Sequence, residues 1–192
     1  MKHLAISAAL VAGLGIAAIN PAQAANDGVI EITGEILATT CLVEGQAPGT
    51  GGITKEVELK GVNKAALGAA AQRAGAKSFK IKVGGIGDTN CTPGQTAYVR
   101  FDPSSPDLDW TTGRLKNSLE VAADPDAATN VEIEMLNGDD GSIIDMFGDD
   151  SKGYVIGTDN QAQIPLIAQY YATAAAVEGL VKSTVGFTVV YD

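Results

Sequence analysis

Only three of the 192 residues are histidine or cysteine: His3, Cys41 and Cys91. These are the side chains that nucleophilic, redox and transition-metal chemistry would draw on first. His3 belongs to an N-terminal stretch that reads as a secretory signal. Lys2 and His3 give it a basic start, Leu4 to Ile19 is apolar, and Ala22-Gln23-Ala24 has the small-x-small cleavage pattern. The apolar run is short for a stable membrane span, which argues against a retained anchor. Removing residues 1–24 leaves a chain without histidine, which excludes Ser-His-Asp and Cys-His catalysis and histidine metal sites. The two cysteines would then enter an oxidising compartment, where Cys41 and Cys91 are expected to pair. Closing that loop of about 50 residues contributes about 4 kcal/mol in the chain-entropy model. A redox role is the alternative, but the two lie far apart rather than as Cys-x-x-Cys.

Acidic residues offer the next candidate chemistry. The net charge is −10, so no nucleic-acid partner is expected: a phosphate-binding surface needs Lys and Arg in excess. The Asp-rich loops at Asn137–Gly141 and Asp149–Gly153 place glycine fifth rather than sixth, so neither frame fits a helix-loop-helix calcium site. Asp139/Asp140 and Asp149/Asp150 sit beside glycines in expected solvated turns, where nothing would bury one acid and raise its pKa. Asn90-Cys91-Thr92 matches a glycosylation acceptor, but its middle residue is the expected disulfide cysteine. No enzyme, metal or cofactor is expected.

The elements that would position any site are strands. Apolar residues alternate in Ile30–Leu37, Val57–Leu59, Phe79–Val83, Ala97–Phe101, Val131–Met135, Ile164–Ala168 and from Val185 to Tyr191. Turn signals such as Asn137-Gly138 and Pro103-Ser104-Ser105-Pro106 separate them, the punctuation of a β-sandwich. The Ala-rich segment Asn63–Ala74 could form a short helix within a strand connection. Hydrophobic residues make up 45% of the chain, enough for one buried core.

Two terminal segments carry a resemblance. The first is Gly28-Val29-Ile30-Glu31-Ile32-Thr33-Gly34-Glu35-Ile36, followed closely by Cys41; the second ends in Val185-Gly186-Phe187-Thr188-Val189-Val190-Tyr191-Asp192, with Tyr191 penultimate and Gly179 fourteenth from the end. Together they resemble the subunits of chaperone–usher pili, closest to type 1 fimbrial major pilins. Ile164–Ala172, with the pair Tyr170-Tyr171, is similar to the family's late strand, and the match covers nearly all of the chain after the signal. The spacing between the two cysteines is longer than usual for the family.

The resemblance implies an all-β fold: an incomplete immunoglobulin-like sandwich lacking its last strand, completed by a neighbour's N-terminal strand. It divides the chain into a signal peptide (1–24), a donor-strand extension (25–36) and a pilin domain (37–192). Gly28, Ile30, Ile32, Gly34 and Ile36 would form the donor strand, with the isoleucines entering a groove and Gly34 fitting where backbones approach closely. Gly179, Val185, Phe187, Val189 and Tyr191 would form the acceptor groove and the strand that a chaperone grips. The implied partners are identical subunits in a homopolymer, a periplasmic chaperone and an outer-membrane usher. The implied role is that of a major fimbrial subunit at the cell surface, supporting adhesion or biofilm formation. A minor shaft or adaptor pilin is the nearest alternative. A tip adhesin would need an extra receptor domain for which the chain leaves no room. An ordinary secreted sandwich would pair Ile30, Ile32 and Ile36 within its own domain.

Overall fold

The computed structural model describes residues 40–49 and 53–192, so the expected donor strand with Gly28, Ile30, Ile32, Gly34 and Ile36, and the signal segment, lie outside the described residues. Nine strands occur among the latter: β1 (Arg73–Gly84), β2 (Thr96–Phe101), β3 (Leu108–Asp109), β4 (Arg114–Lys116), β5 (Thr129–Asn137), β6 (Ile143–Ile144), β7 (Tyr154–Val155), β8 (Gln161–Val177) and β9 (Phe187–Tyr191). A single helical turn, α1 (Ser118–Val121), follows β4, with Asn117 as its N-cap. All pairing between strands is antiparallel. One sheet runs β1-β8-β5-β4-β3 with β6 beside β5, and the other runs β7-β2-β9.

The alternation seen in the sequence becomes the inward face of these sheets. Ile81 pairs with Ile164 and Val83 with Ala162 between β1 and β8, while Met135 pairs with Ala168 between β5 and β8. With Val99 and Phe101 of β2 they form one core cluster, in which Val83, Val99 and Ile164 are fully buried. Pro165 interrupts a central strand, a position that normally loses a ladder bond. Here its carbonyl accepts from Gly138 N–H just past the end of β5, so its missing N–H falls where the β5 ladder has already stopped.

Two expectations change. Val57–Leu59 keeps the alternating burial of a strand but joins no ladder among the described residues. The Asn63–Ala74 segment gives only a 3-10 turn at Lys64–Leu67, capped by the Asn63 side chain. The backbone explains why: Ala71 N–H donates to Ala172 O and Ala172 N–H to Gln72 O, so this stretch is already tied to β8, and Arg73 and Ala74 begin β1. Two ladder bonds to a buried strand outweigh the helix propensity of a few alanines.

Cys41 and Cys91 are joined by a disulfide across 50 residues of sequence, and both are buried. On the outer face of the large sheet, Glu134 is fully buried. The Arg73 guanidinium meets it with two hydrogen bonds (2.6 and 2.9 Å), and Gln169 Nε2 donates to the same carboxylate at 2.8 Å. Arg114 donates to Glu132 at 2.6 Å, and the Arg114 and Arg73 guanidinium groups both lie over the Tyr171 ring, 3.8 and 4.9 Å from its centroid. The acidic turns are occupied with holding their own shape. Lys152 and Ser142 hydrogen-bond Asp140, and the Lys152 contact above all holds its carboxyl well below the usual carboxylate range.

Two outcomes test this account. Cys41→Ser with Cys91→Ser should lower the free energy of unfolding by about 4 kcal/mol in denaturant titration. Arg73→Met should lower it by on the order of 3 kcal/mol by leaving Glu134 uncompensated, whereas Arg73→Met with Glu134→Met should recover most of the loss. An unchanged midpoint in the single variant would remove the pair's role in stability.

Candidate functional site

Strand β9 pairs with β2 from Ala97↔Tyr191 to Phe101↔Phe187, and only on that edge among the described residues. It lines a groove that the segment 53–59 lines as well, as a second rim. Burial alternates along both rims. Ile53, Lys55, Val57 and Leu59 are half-buried while Thr54, Glu56 and Glu58 are exposed; Val181, Ser183, Val185, Phe187 and Val189 are half-buried while Lys182, Thr184, Gly186 and Thr188 are exposed. Each rim therefore behaves as a strand with one face turned to the core, although neither has a ladder partner on the side of the groove.

The groove encloses about 1220 Å³, and Phe79, Ile81, Phe101, Met135 and Tyr170 are among the residues beneath it. Ile53, Val57, Leu59, Val185, Phe187, Val189 and Tyr191 pack against the buried cluster and yet remain only partly buried. Apolar side chains at every second position, beside edges that join no ladder on the groove side among the described residues, fit an extended peptide that has apolar residues at the same spacing. No cluster of three or more metal-ligating side chains occurs among the described residues.

Both ends of the C-terminal rim are anchored. At one end Tyr191 lies beside Cys41 and Asp88, and burial pushes its hydroxyl up to about 12. There Leu42 N–H donates to Asp88 Oδ2 at 2.8 Å, and Val43 bridges to Val83. At the other end the fully buried Asn117 accepts from Lys182 N–H and donates to the carbonyls of Ala128 and Leu180. Thr184 N–H donates to Asp107 and Gly186 N–H to Ser105 Oγ, so alternate residues are held from outside by loops, as in a strand paired on one side.

Of the residues singled out in the sequence, Val185, Phe187, Val189 and Tyr191 all line the groove. Gly179 does not. It packs where a Cβ would overlap the Ala127–Ala128 backbone, beside the Leu180–Ala127 bridge, and so fixes the start of the rim. The disulfide lies beside the Tyr191 end. Sequence reasoning missed the 53–59 rim: Ile53, Val57 and Leu59 carry a period-2 signal, but nothing in that signal says which strand edge stays unpaired.

The family model for type-1 fimbrial protein A matches residues 59–192. The major fimbrial subunit SMF-1 of Stenotrophomonas maltophilia is 34% identical over 184 residues, 92% of this chain and 99% of that protein. The F17 fimbrial protein of Escherichia coli is 31% identical over 186 residues, 95% of this chain and 97% of its own length. The crystal structure of the P pilus rod subunit PapA shares the fold, with a TM-score of 0.53 at 13% identity over 80% of this chain and 99% of that one. Two antiparallel sheets and a disulfide, in a chain matched over most of its length by structural subunits of fimbriae, describe a structural subunit and not an enzyme: the chain belongs to the type-1 fimbrial protein family.

Proposed function

We propose that the chain is a major shaft subunit that polymerises by donor-strand exchange, with its own extension, residues 25–36, filling the groove of the next copy. The observation that carries this reading is the groove itself, bounded by two strand-like rims with apolar side chains left half-buried. Nine residues from Gly28 to Ile36 reach about 30 Å at strand rise, enough to run the length of the 53–59 rim and most of the C-terminal one. Ile30, Ile32 and Ile36 have the spacing to fill the groove, each contributing roughly 1.5–3 kcal/mol when fully buried. Main-chain hydrogen bonds along β9 add to this. The contact is heterologous and does not close on itself, so repetition yields a filament.

An empty groove with this lining is an aggregation hazard. A periplasmic chaperone would supply a strand in transit, and an outer-membrane usher would exchange it for the neighbour's extension. The secretory signal in residues 1–24 fits that route. The similarity to a protein named as a major fimbrial subunit supports the shaft assignment over a minor or adaptor role. Filaments of this kind would support adhesion or biofilm formation at the cell surface.

Deleting residues 25–36 should leave a subunit that folds around a supplied strand but builds no filament in electron micrographs of sheared surface material. Filaments from the truncated chain would show that the donor strand lies elsewhere. A synthetic peptide of residues 25–36 should bind the groove and raise the subunit's melting temperature, and Ile32→Asp in the peptide should weaken binding by tenfold or more, on the order of 1.4 kcal/mol or above. Equal binding by both peptides would mean that Ile32 does not enter the groove.

A further inference from the structure

The groove has direction, and the domain has two unlike ends. Residue 40, where the N-terminal segment joins the domain, lies at the Tyr191 end, beside the disulfide. The turn that follows β1 is at this same end: Gly84 N–H donates to Leu42 O, and two residues later Ile86 stands 90% exposed. At the other end, where Val181 and Leu59 line the groove, Val121, Val177 and Leu180 are 70%, 52% and 61% exposed. Those three sit on segments tied to one another. Thr129 pairs with Val177, Leu180 bridges to Ala127, and Asn117 at the start of α1 donates to the carbonyls of Ala128 and Leu180. Strand β8 runs from the Ile86 end to Val177, about 50 Å at strand rise, so the two apolar groups cap opposite ends of the domain.

We infer that these ends meet in the filament, with Ile86 of one copy seated against Leu180 and Val177 of the next; the inference rests on the strand-exchange reading. The direction of the entering strand follows from two physical constraints. Every ladder of the β7-β2-β9 sheet is antiparallel, and a strand added antiparallel to β9 continues that pattern with the more stable pairing. Such a strand has its C-terminal root at the Val181 end, so it brings the neighbour's residue 40, disulfide and Ile86 against Leu180, Val177 and Val121. The opposite direction would bring the neighbour's root to the Tyr191 end, where this chain's own extension is rooted, and the two would compete for the same space. Isolated exposed apolar residues are ordinary on a monomer. Here one occupies the donor's root and three occupy the end at which that root arrives. A second copy of this chain is thus the partner that the surface fits, and the contact continues the donor-strand interface past the groove.

The test uses the full chain assembled at the cell surface. Ile86→Lys and Leu180→Asp, each alone, should lower filament yield and the temperature at which filaments dissociate in SDS, whereas the two together should restore both toward the parent values by pairing opposite charges. Ile143→Lys, at a 53% exposed site on β6 away from both ends, should leave yield unchanged. Losses that simply add in the double variant, or an equal loss from Ile143→Lys, overturn the contact. Each variant is also titrated with the synthetic peptide of residues 25–36, which should bind all of them as it binds the parent, because none of the three positions lines the groove. If the peptide fails to bind even the parent, strand exchange itself is refuted and the contact falls with it; if it binds and the charge pair shows no recovery, only the contact falls.

Discussion

The edge of β9 that has no ladder among the described residues is the constraint on which the remaining structure depends. Backbone N–H and C=O groups must find partners, and apolar side chains beside them must leave water. Along β9 the first requirement is met on one edge by β2, and the second is met only halfway, since Phe187, Val189 and Tyr191, like Val185 just before them, remain partly exposed. The 53–59 rim, which joins no ladder among the described residues, likewise keeps Ile53, Val57 and Leu59 only partly buried. A fold that leaves both requirements open along two facing segments must make everything else rigid, or the edges would collapse onto each other and erase the groove.

The means of that rigidity are visible around the groove. Beneath it lies a core in which Ile81, Leu166 and Val99 are fully buried and pair across continuous ladders. Behind the large sheet, Glu134 is held by Arg73 and Gln169, and two guanidinium groups lie over Tyr171, which ties β1, β8 and β5 together on the face away from the groove. Buried ion pairs add little net stability against an apolar alternative, but they penalise any shift that separates the partners. At the ends, the disulfide with Asp88 and the buried Asn117 hold the rim against its neighbours. The groove is kept open by fixing its floor, its back and both its ends.

This arrangement also gives the domain a polarity. The root of the N-terminal segment and the disulfide occupy one end, and Gly179 and α1 the other, with β8 spanning between them. Under the proposed exchange, each copy gives a strand at one end and receives one through the other, which is what a filament without closure requires.

Much of this was legible in the sequence. Strands β1, β2, β5, β8 and β9 follow from period-2 alternation, because a sheet with one buried face imposes that period on its residues. The cysteine pairing follows from having two thiols in an exported chain. Four of the groove residues, from Val185 to Tyr191, follow from the C-terminal pattern. Other features depended on contacts between residues far apart. Alternation in Val57–Leu59 marks an extended chain with an inward face, but whether that chain joins a ladder depends on what lies beside it. The alanines of Asn63–Ala74 have helix propensity, yet Ala71 and Gln72 exchange hydrogen bonds with Ala172, one hundred residues away, and the strand wins. The two-residue strands β3, β6 and β7 carry no periodic signal at all and exist because a longer strand offers them an edge. Local sequence thus determined which residues face inward, through side-chain period; tertiary structure decided which backbone edges are satisfied and which stay open, because a hydrogen-bond ladder belongs to two segments and is written in neither alone.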